Sequence, residues 1–533
     1  MTRLRRGLAS FFAVPTRMLP PAPPKMVPTT RMYAAARQSR LTAWFGSSGN
    51  ASADAELHSS LQMLRARSRQ MIRDSAYAKR ARLLVQNNVV GAGIDVQAQV
   101  MTESGDLRKA VNDAIEAGWG AWCAADACHT GGALHFADME RLLIGQVFDA
   151  GEVLVRAHRV SLGRSRVPMA LEVVEPERLA EDYMRFDGVT PGAFLVMGVE
   201  QDAFGRALAY WVRRGHPGDL RERERADRYE RVPADEMFHL RLIDRWPQSR
   251  GEPWLHATLR KLDDMNEYTA SELAAARAAS MYFGTIETND PDNPLGTTAG
   301  TGEAARPEMH IEPLAIEQLG SGEKFSFHSP NRPNTALDPF MRYMLREISA
   351  GVGPSYESLS RDYSQSNYSS SRLALLDDRD LWRVLQQWWV RSFRQPLHRL
   401  WLQRAMEAEA IGAVAPAEYW LRPAQFEAAI FKCRGWQWID PAREVESYKE
   451  AVRAGFTTVS DVIRQTAGGL DIEDVIATRK RELEMFEQAG IDVDTTVEET
   501  KEPEEAVSPD DPPQGDDERQ KTARHERVVS LRR

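Results

Sequence analysis

Apolar positions recur at two different periods along this chain. Between residues 134 and 149, Leu134, Met139, Leu142, Leu143, Gln146 and Val147 fall on one mostly apolar stripe, which predicts an amphipathic helix. Residues 58–86 combine Leu61, Leu64, Ile72, Leu83 and Leu84 with seven Lys or Arg side chains and read as a single basic helix, either a solvated charged face or a surface for a neighbour's acidic face. Val89–Val100 is a strand candidate that Gly91 and Gly93 allow to bend, and residues 106–118 read as a helix. From 151 to 243 the period changes to two. Glu152–Val160, Met169–Val174, Ala193–Glu200, Arg206–Arg213 and Met237–Ile243 are short runs of branched and aromatic residues that predict strands. Asp202 and Gly205 supply turn chemistry for a hairpin between 198 and 206.

After Pro253 helical spacing returns and runs to Tyr282, a predicted rod of roughly 43 Å at ~1.5 Å per residue. Asn, Asp, Pro, Gly and Thr interrupt it at 288–309, and β-like pieces follow near Ile311–Leu319 and Lys324–His328. A second helix is predicted from Ala336, with Arg342 and Arg346 one turn apart on one face. A third, Arg372 to about Glu409, carries a Leu, Trp and Phe stripe, which predicts core packing, and contains Pro396, which predicts a kink or interruption. Helices at 442–454, 458–467 and 471–489 form a small α-rich unit.

Composition narrows the picture. At 533 residues the chain is long enough for several domains, and a net charge of −9 argues against a generally basic nucleic-acid binder. Weak, transient contact with nucleic acid remains compatible, because each phosphate contact adds salt-sensitive affinity. Cys123, Cys128 and Cys433 are too few for a disulfide framework, so a reducing compartment is expected. Cys123, Cys128 and His129 lack a second cysteine pair, and packed thiols are favoured over a zinc site. No apolar run is long enough to span a bilayer. The first 53 residues carry basic but no acidic side chains and six clustered prolines, and residues 492–518 are crowded with Asp and Glu; both read as disordered arms, the first in preference to a transit segment.

One stretch fits neither period. Residues 354–373 hold Tyr356, Tyr363 and Tyr368 among hydroxyls and amides, with Arg361 and Arg372 and almost no aliphatic side chain, which predicts a polar loop between helices. This run resembles the signature of the portal proteins of lambda-like tailed bacteriophages. The 198–206 hairpin and the segment Phe431–Pro441, where Trp436 and Trp438 alternate on one strand face and Asp440-Pro441 opens a helix, are similar to further motifs of that family. The resemblance covers roughly residues 60–490. It implies a multi-domain α+β fold with long stem helices, a β-rich wing, a small α/β clip and an α-helical crown-like C-terminal unit. Mapped on this chain, the expected divisions are a basic arm at 1–57, wing at 58–252, first stem helix at 253–283, clip at 284–333, second stem helix at 334–353, tunnel loop at 354–371, a long kinked helix returning to the wing at 372–438, crown at 439–490 and an acidic tail at 491–533.

The resemblance also implies a dodecameric ring at one capsid vertex of the virion, assembled in the host cytoplasm, through which double-stranded DNA is packaged and ejected. Its implied partners are the terminase large subunit at the clip, later replaced by head-completion or adaptor proteins, with capsid and scaffold proteins around it and no membrane. Arg361, Tyr363, Ser364, Gln365, Asn367 and Tyr368 are the expected channel lining, where hydroxyls and amides exchange weak bonds with phosphates without reading bases. Arg342 and Arg346 offer a positive band along the stem or, as readily, ion pairs to an adjacent subunit. No cofactor and no enzyme activity are expected: the sequence lacks a phosphate-binding loop, a zinc helix and a nucleophile elbow. Gly320–Lys324 has the wrong spacing for a phosphate loop and reads as a turn. Two rival readings remain, a non-conducting tail or connector scaffold, and a metal nuclease built on Asp377, Asp378 and Asp380, whose bland alternative is a solvated helix face.

Overall fold

The structure is a computed structural model that describes residues 50–105, 107–184, 190–219, 228–281, 284–288, 323–327, 334–436, 441–466 and 472–490. Chain order begins with α1 (Ala53–Asp74) and α2 (Ala76–Val89). The predicted single basic helix is therefore two: Ser75 leaves helical geometry, ends α1 and accepts the Ala78 amide at the start of α2. Its cations are not a uniformly solvated face either. Arg65 is buried, Arg69 pairs with Glu177 at 2.7 Å and Arg82 with Asp149 at 2.8 Å, all within the chain. α2 continues through Val89, so the strand expected over Val89–Val100 shrinks to β1 (Asp95–Ala98).

Next come α3 (Lys109–Trp122), α4 (Ala125–Cys128) and α5 (Phe136–Ala150), then β2 (Glu152–His158) and β3 (Ala170–Val174). The run Ala193–Glu200 folds as two strands, β4 (Phe194–Val196) and β5 (Val199–Gln201), because Met197 and Gly198 both take positive φ and reverse the chain. A Cβ on Gly198 would stand 2.9 Å from the Ala180 main chain, so glycine is required there. β6 (Ala207–Arg213) pairs with β5 across the expected hairpin, whose Asp202 carboxylate accepts the amides of Phe204 and Arg206. β7 (Tyr229–Pro233), which the sequence reading missed, and β8 (Met237–Arg241) complete two antiparallel sheets of order β3-β2-β8 and β4-β5-β6-β7.

A buried charge hub ties these sheets to α1. Glu152 at the head of β2 accepts from Arg250 Nε at 2.8 Å, from the Gly251 amide at 2.8 Å, from His239 on β8 at 2.8 Å and from Arg65 on α1 at 3.4 Å. Arg250 also donates to the carbonyls of Met197 and Pro176. Burial alone would push the Glu152 pKa up; the Arg250 charge and the His239 bond overcome it and hold the carboxylate ionised. The His239 pKa also falls, to about 4, through burial and then the Arg241 charge.

α6 (Leu259–Met281) starts after turns at 253–258 and spans about 35 Å over its 23 residues. It lies antiparallel to α7 (Leu337–Val352): Lys261 pairs with Glu347 at 3.5 Å, and the Tyr268 ring packs on Phe340 at 4.7 Å. Only the base of this hairpin is covered, by Leu259, Leu262 and Met265 on α6 and Met344, Leu345, Ile348 and Val352 on α7. β9 (Gly284–Thr288) and β10 (Glu323–Phe327) pair antiparallel beyond it. The β-like piece expected at Ile311–Leu319 lies outside the described residues, as do residues 320–322 of the glycine turn.

After α8 (Tyr356–Ser360), α9 (Tyr368–Trp389) passes through a π-helical turn, Val390–Arg394, into α10 (Gln395–Glu407). This turn is the form the expected Pro396 interruption takes: proline brings no N–H, and the wider turn accommodates the mismatch. The turn also delivers Arg394 into the core, against the faces of Trp119, Phe136 and Phe431 and 3.5 Å from the buried Glu140 carboxylate. The Leu, Trp and Phe stripe is core over most of its length: Leu385, Trp389, Phe393, Leu397 and Trp401 are buried, joined by Trp382, while Leu376 at its start is 41% exposed. α11 (Pro416–Leu421), α12 (Pro423–Phe426) and β11 (Ala429–Lys432) bring the chain back to pair with β1, and α13 (Pro441–Arg453), α14 (Val459–Thr466) and α15 (Ile472–Ala489) follow. Trp436 lies past the end of β11 and donates to Asn88, while Trp438 falls outside the described residues. Cys123 and Cys128 are buried, their thiols pushed up in pKa by burial, and His129 accepts the Ala133 amide, so these are packed side chains. Most of the presumed basic arm, residues 1–49, and all of the acidic tail from 491 lie outside the described residues; Ala53–Leu57 already belong to α1.

Candidate nucleic-acid interface

The tyrosine-rich run is not one loop. Its first third folds into the body. Gly353 ends α7 with a φ of 109°, and Ser355 caps α8 by accepting the Ser358 amide. Leu359 is buried, and Arg80 on α2 donates to the Ser358 carbonyl at 3.2 Å. The decisive tie comes from α9. Asp378 is buried and accepts the Ser355 amide at 2.6 Å, the Ser355 hydroxyl at 2.8 Å and the Ser358 hydroxyl at 2.5 Å. The reading of residues 377–380 as a solvated acidic face therefore fails at Asp378, which sits on the same helical stripe as Trp382, Leu385 and Trp389. Only Asp377 and Asp380 are exposed, and Asp380 pairs with Arg383 at 3.0 Å.

Arg361 closes α8 in a left-handed conformation, with φ 59° and ψ 22°. Asp362 then pins the next turn. It accepts the Ser364 hydroxyl at 2.6 Å, the Ser364 amide at 3.0 Å and the Tyr356 phenol at 2.7 Å. Those bonds, with the Ser364 hydroxyl foremost, draw its pKa down to about 2. Asn367 accepts the Ser370 amide at 2.8 Å while Ser370 reciprocates to the Asn367 amide, a capping box that starts α9. Tyr368, expected in the loop, is thus the first residue of that helix.

What remains exposed is a short polar crest. Arg361, Tyr363, Ser364, Gln365, Asn367 and Tyr368 are all exposed, Tyr363 at 59% and Tyr368 at 60%. Exposed tyrosines between two clamped turns are a rigid, weakly bonding surface, able to meet phosphates or base edges without a strong charge. The stem arginines differ from the expected open band. Arg342 pairs with Asp338 at 3.0 Å and with Asp362 at 3.5 Å in the same chain, and Arg346 lies 5.4 Å from the centre of the Tyr356 ring. Both brace the base of the crest. The sequence reading missed Asp378 and Arg80 as anchors; the i, i+4, i+7 spacing of Asp378 with Trp382 and Leu385 carried that signal.

The described residues include one group able to bring three metal-ligand atoms together, Glu175, Glu177 and His216. Arg69 lies 2.7 Å from Glu177, and His216 Nδ1 accepts the Gly218 amide, which places the ring proton on the nitrogen facing Glu175. No helix among the described residues is long and apolar enough to cross a membrane.

Comparison with known proteins bears directly on this architecture. The family model described as phage portal protein, lambda family, matches residues 37–386. The chain is 31% identical over 481 residues to a probable portal protein of Halomonas phage phiHAP-1, covering 89% of this chain and 90% of that one. It is 22% identical over 472 residues to portal protein B of Escherichia phage lambda, covering 83% of this chain and 87% of that protein. Among solved structures it is similar to a chain in the neck of a native gene transfer agent particle computed with C12 symmetry, with a TM-score of 0.41, 17% identity, and 80% and 98% of the two chains covered. A portal protein of the HK97 family from Corynebacterium diphtheriae matches with a TM-score of 0.27, 12% identity, and 58% and 84% covered. The family match runs through both sheets, the α6–α7 hairpin and the tyrosine crest, and the chain belongs to the lambda family of phage portal proteins, the head–tail connectors of tailed phages.

Proposed function

We propose that copies of this chain close into a ring of about twelve, as the family resemblance implies, with heterologous contacts from subunit to subunit. DNA enters and leaves through the bore, and residues 361–368 meet the sliding duplex. The observation that carries this reading is the crest itself: six polar residues exposed on a platform that Asp378, Asp362 and Asn367 fix in place. Rigid anchors beneath a weakly binding surface suit passage better than capture, because a strongly cationic loop would hold phosphates.

The α6–α7 hairpin supports the ring. Beyond its base, Leu273 at 52% exposed and Tyr343 at 65% exposed stand uncovered in a single chain, and a neighbouring copy would bury them. In this reading α6 and α7 are the stem, residues 284–333 the clip where the terminase and later adaptor proteins dock, the two larger sheets with α1–α5 the wing, and α13–α15 the crown. The protein then sits at the portal vertex of the virion as a structural part and leaves pumping to a partner. A nuclease on Asp377, Asp378 and Asp380 fits poorly, since the middle carboxylate is spent on Ser355 and Ser358.

A DNA-packaging assay tests the reading. Replacing all of 361–370 would also remove Asp362 and Asn367 and unclamp the platform. The cleaner variant changes Tyr363, Gln365 and Tyr368 to serine and keeps both anchors. Rings should assemble normally and retain less DNA; full retention removes the crest from the mechanism.

A further inference from the structure

Among the described residues, β11 has an unused edge. It pairs with β1 on one side only, with Asp95 opposite Lys432 and Ala98 opposite Ala429. The Gln99 amide donates to the Ala428 carbonyl at 2.8 Å, so by alternation Ala428, Ile430 and Lys432 turn their main-chain groups toward β1. The main-chain groups of Ala429, Phe431 and Cys433 point the other way and have no hydrogen-bond partner among the described residues. Such an edge is a template for another strand unless something covers it.

The space beside it is shaped to receive one. A groove of about 510 Å³ separates β11 and residues 433–436 from α9, the π turn and the start of α10. No residue of β1 lines it, which places it on the open side of β11. Its wall includes Val390 and Ile430, and its charged side chains are Arg383, Arg391, Lys432 and Arg434, with no carboxylate among them. An occupant should therefore be extended, apolar on one face and acidic on the other.

This chain carries such a segment immediately after α15. Ile491, Val493, Thr495 and Val497 alternate with Asp492, Asp494, Thr496 and Glu498. The period of two places three β-branched or apolar side chains and a threonine on one face of a strand, and three carboxylates on the other. We propose that residues 491–498 dock as an added strand on the free edge of β11, with Asp492, Asp494 and Glu498 toward the groove cations. Main-chain bonds to Ala429, Phe431 and Cys433 supply the hold, and the alternating faces set the register. The acidic tail is then held to the body by its first eight residues, next to the helix that ends in the Arg394 core contact.

Hydrogen exchange on the assembled full-length protein tests this. In the wild type the amides of Phe431 and Cys433 should be protected, and in the triple variant Asp492→Lys, Asp494→Lys, Glu498→Lys they should exchange roughly tenfold faster or more. The Ile430 amide, which faces β1, should not change. Equal exchange of the two edge amides in both proteins overturns the proposal, whether fast (an empty edge) or slow (another segment covers it). A second measurement is independent of charge. Under mild oxidation Val493→Cys should form a disulfide with Cys433 that peptide mapping detects, and Val507→Cys should not; equal yields from both positions would equally overturn the docking.

Discussion

Two polar regions of this protein use the same side chains to opposite ends. At the hub beneath the sheets, Glu152, Arg250, His239 and Arg65 are enclosed, and every oxygen of the carboxylate is met by a donor. At the crest, Arg361, Tyr363, Gln365 and Tyr368 face outward, and the carboxylates near them, Asp362 and Asp378, are directed inward to hold main-chain amides and hydroxyls. Charge in the hub is paired because an unpaired buried ion is costly. Polarity on the crest is left unpaired because solvent, or a passing polymer, completes it. A polar residue's role here depends on whether its neighbours already satisfy it.

Substitutions should separate the two regions by size of effect. The largest belongs to the hub: Glu152→Gln removes the one fully enclosed carboxylate facing Arg250 and Arg65, leaves them only the partly exposed Glu177 and Glu181, and should cost about 3–5 kcal/mol in chemical denaturation. Arg394→Leu, which strands Glu140 in the core, should fall in the same class. A hub variant that loses less than about 1 kcal/mol would break the comparison. The platform comes next. Asp378→Ala removes the acceptor for two hydroxyls and one amide and should cost about 2 kcal/mol, with faster hydrogen exchange confined to Ser355–Ser358. The smallest change in stability belongs to the crest itself, where Tyr363→Ala and Tyr368→Ala should stay within about 0.5 kcal/mol.

Acid should reach the two regions at different points. His239 is held neutral, with its pKa drawn from the ordinary 6.5 down to about 4, so the unfolded chain binds its proton first. Its contribution is complete above pH 6.5 and is lost as pH falls from there toward 4. His398, lowered to about 3 by burial and the Arg394 charge, acts in the same direction. Asp362 is depressed from 3.8 to about 2, so the clamp it makes on Ser364 and Tyr356 holds at all pH values above 3.8 and fails only as pH drops toward 2. Denaturation midpoints measured from pH 7 to 4 should fall, while exchange at the Ser364 amide should show no loss of its hydrogen bond over the same range.

Much of this organisation was legible in the chain. The period-two runs located six of the seven strands of the two larger sheets but merged β4 and β5 into one, because Met197 and Gly198 carry no turn pair of the Asn-Gly kind. β7 escaped because Tyr229–Pro233 is short and alternates weakly. Helical spacing found α5 through α7 and α9 with α10, including the disturbance before Pro396, but a π turn and a kink leave the same mark in sequence. The crest was visible as an aperiodic polar run, while its division was not: Leu359 is a single apolar residue, and the pull of Asp378 acts across 20 or more positions. The hub could not have been read at all, since Arg65, Glu152, His239 and Arg250 are joined only by the fold.

The most direct test of the central claim is photo-crosslinking in DNA-filled particles. A benzoylphenylalanine at position 363 or 368 should attach to DNA on irradiation, and the same probe at Phe204, exposed at 88% on the β5–β6 hairpin, should not. Attachment from Phe204 as strong as from the crest, or none from either crest position, would contradict a duplex passing over residues 361–368.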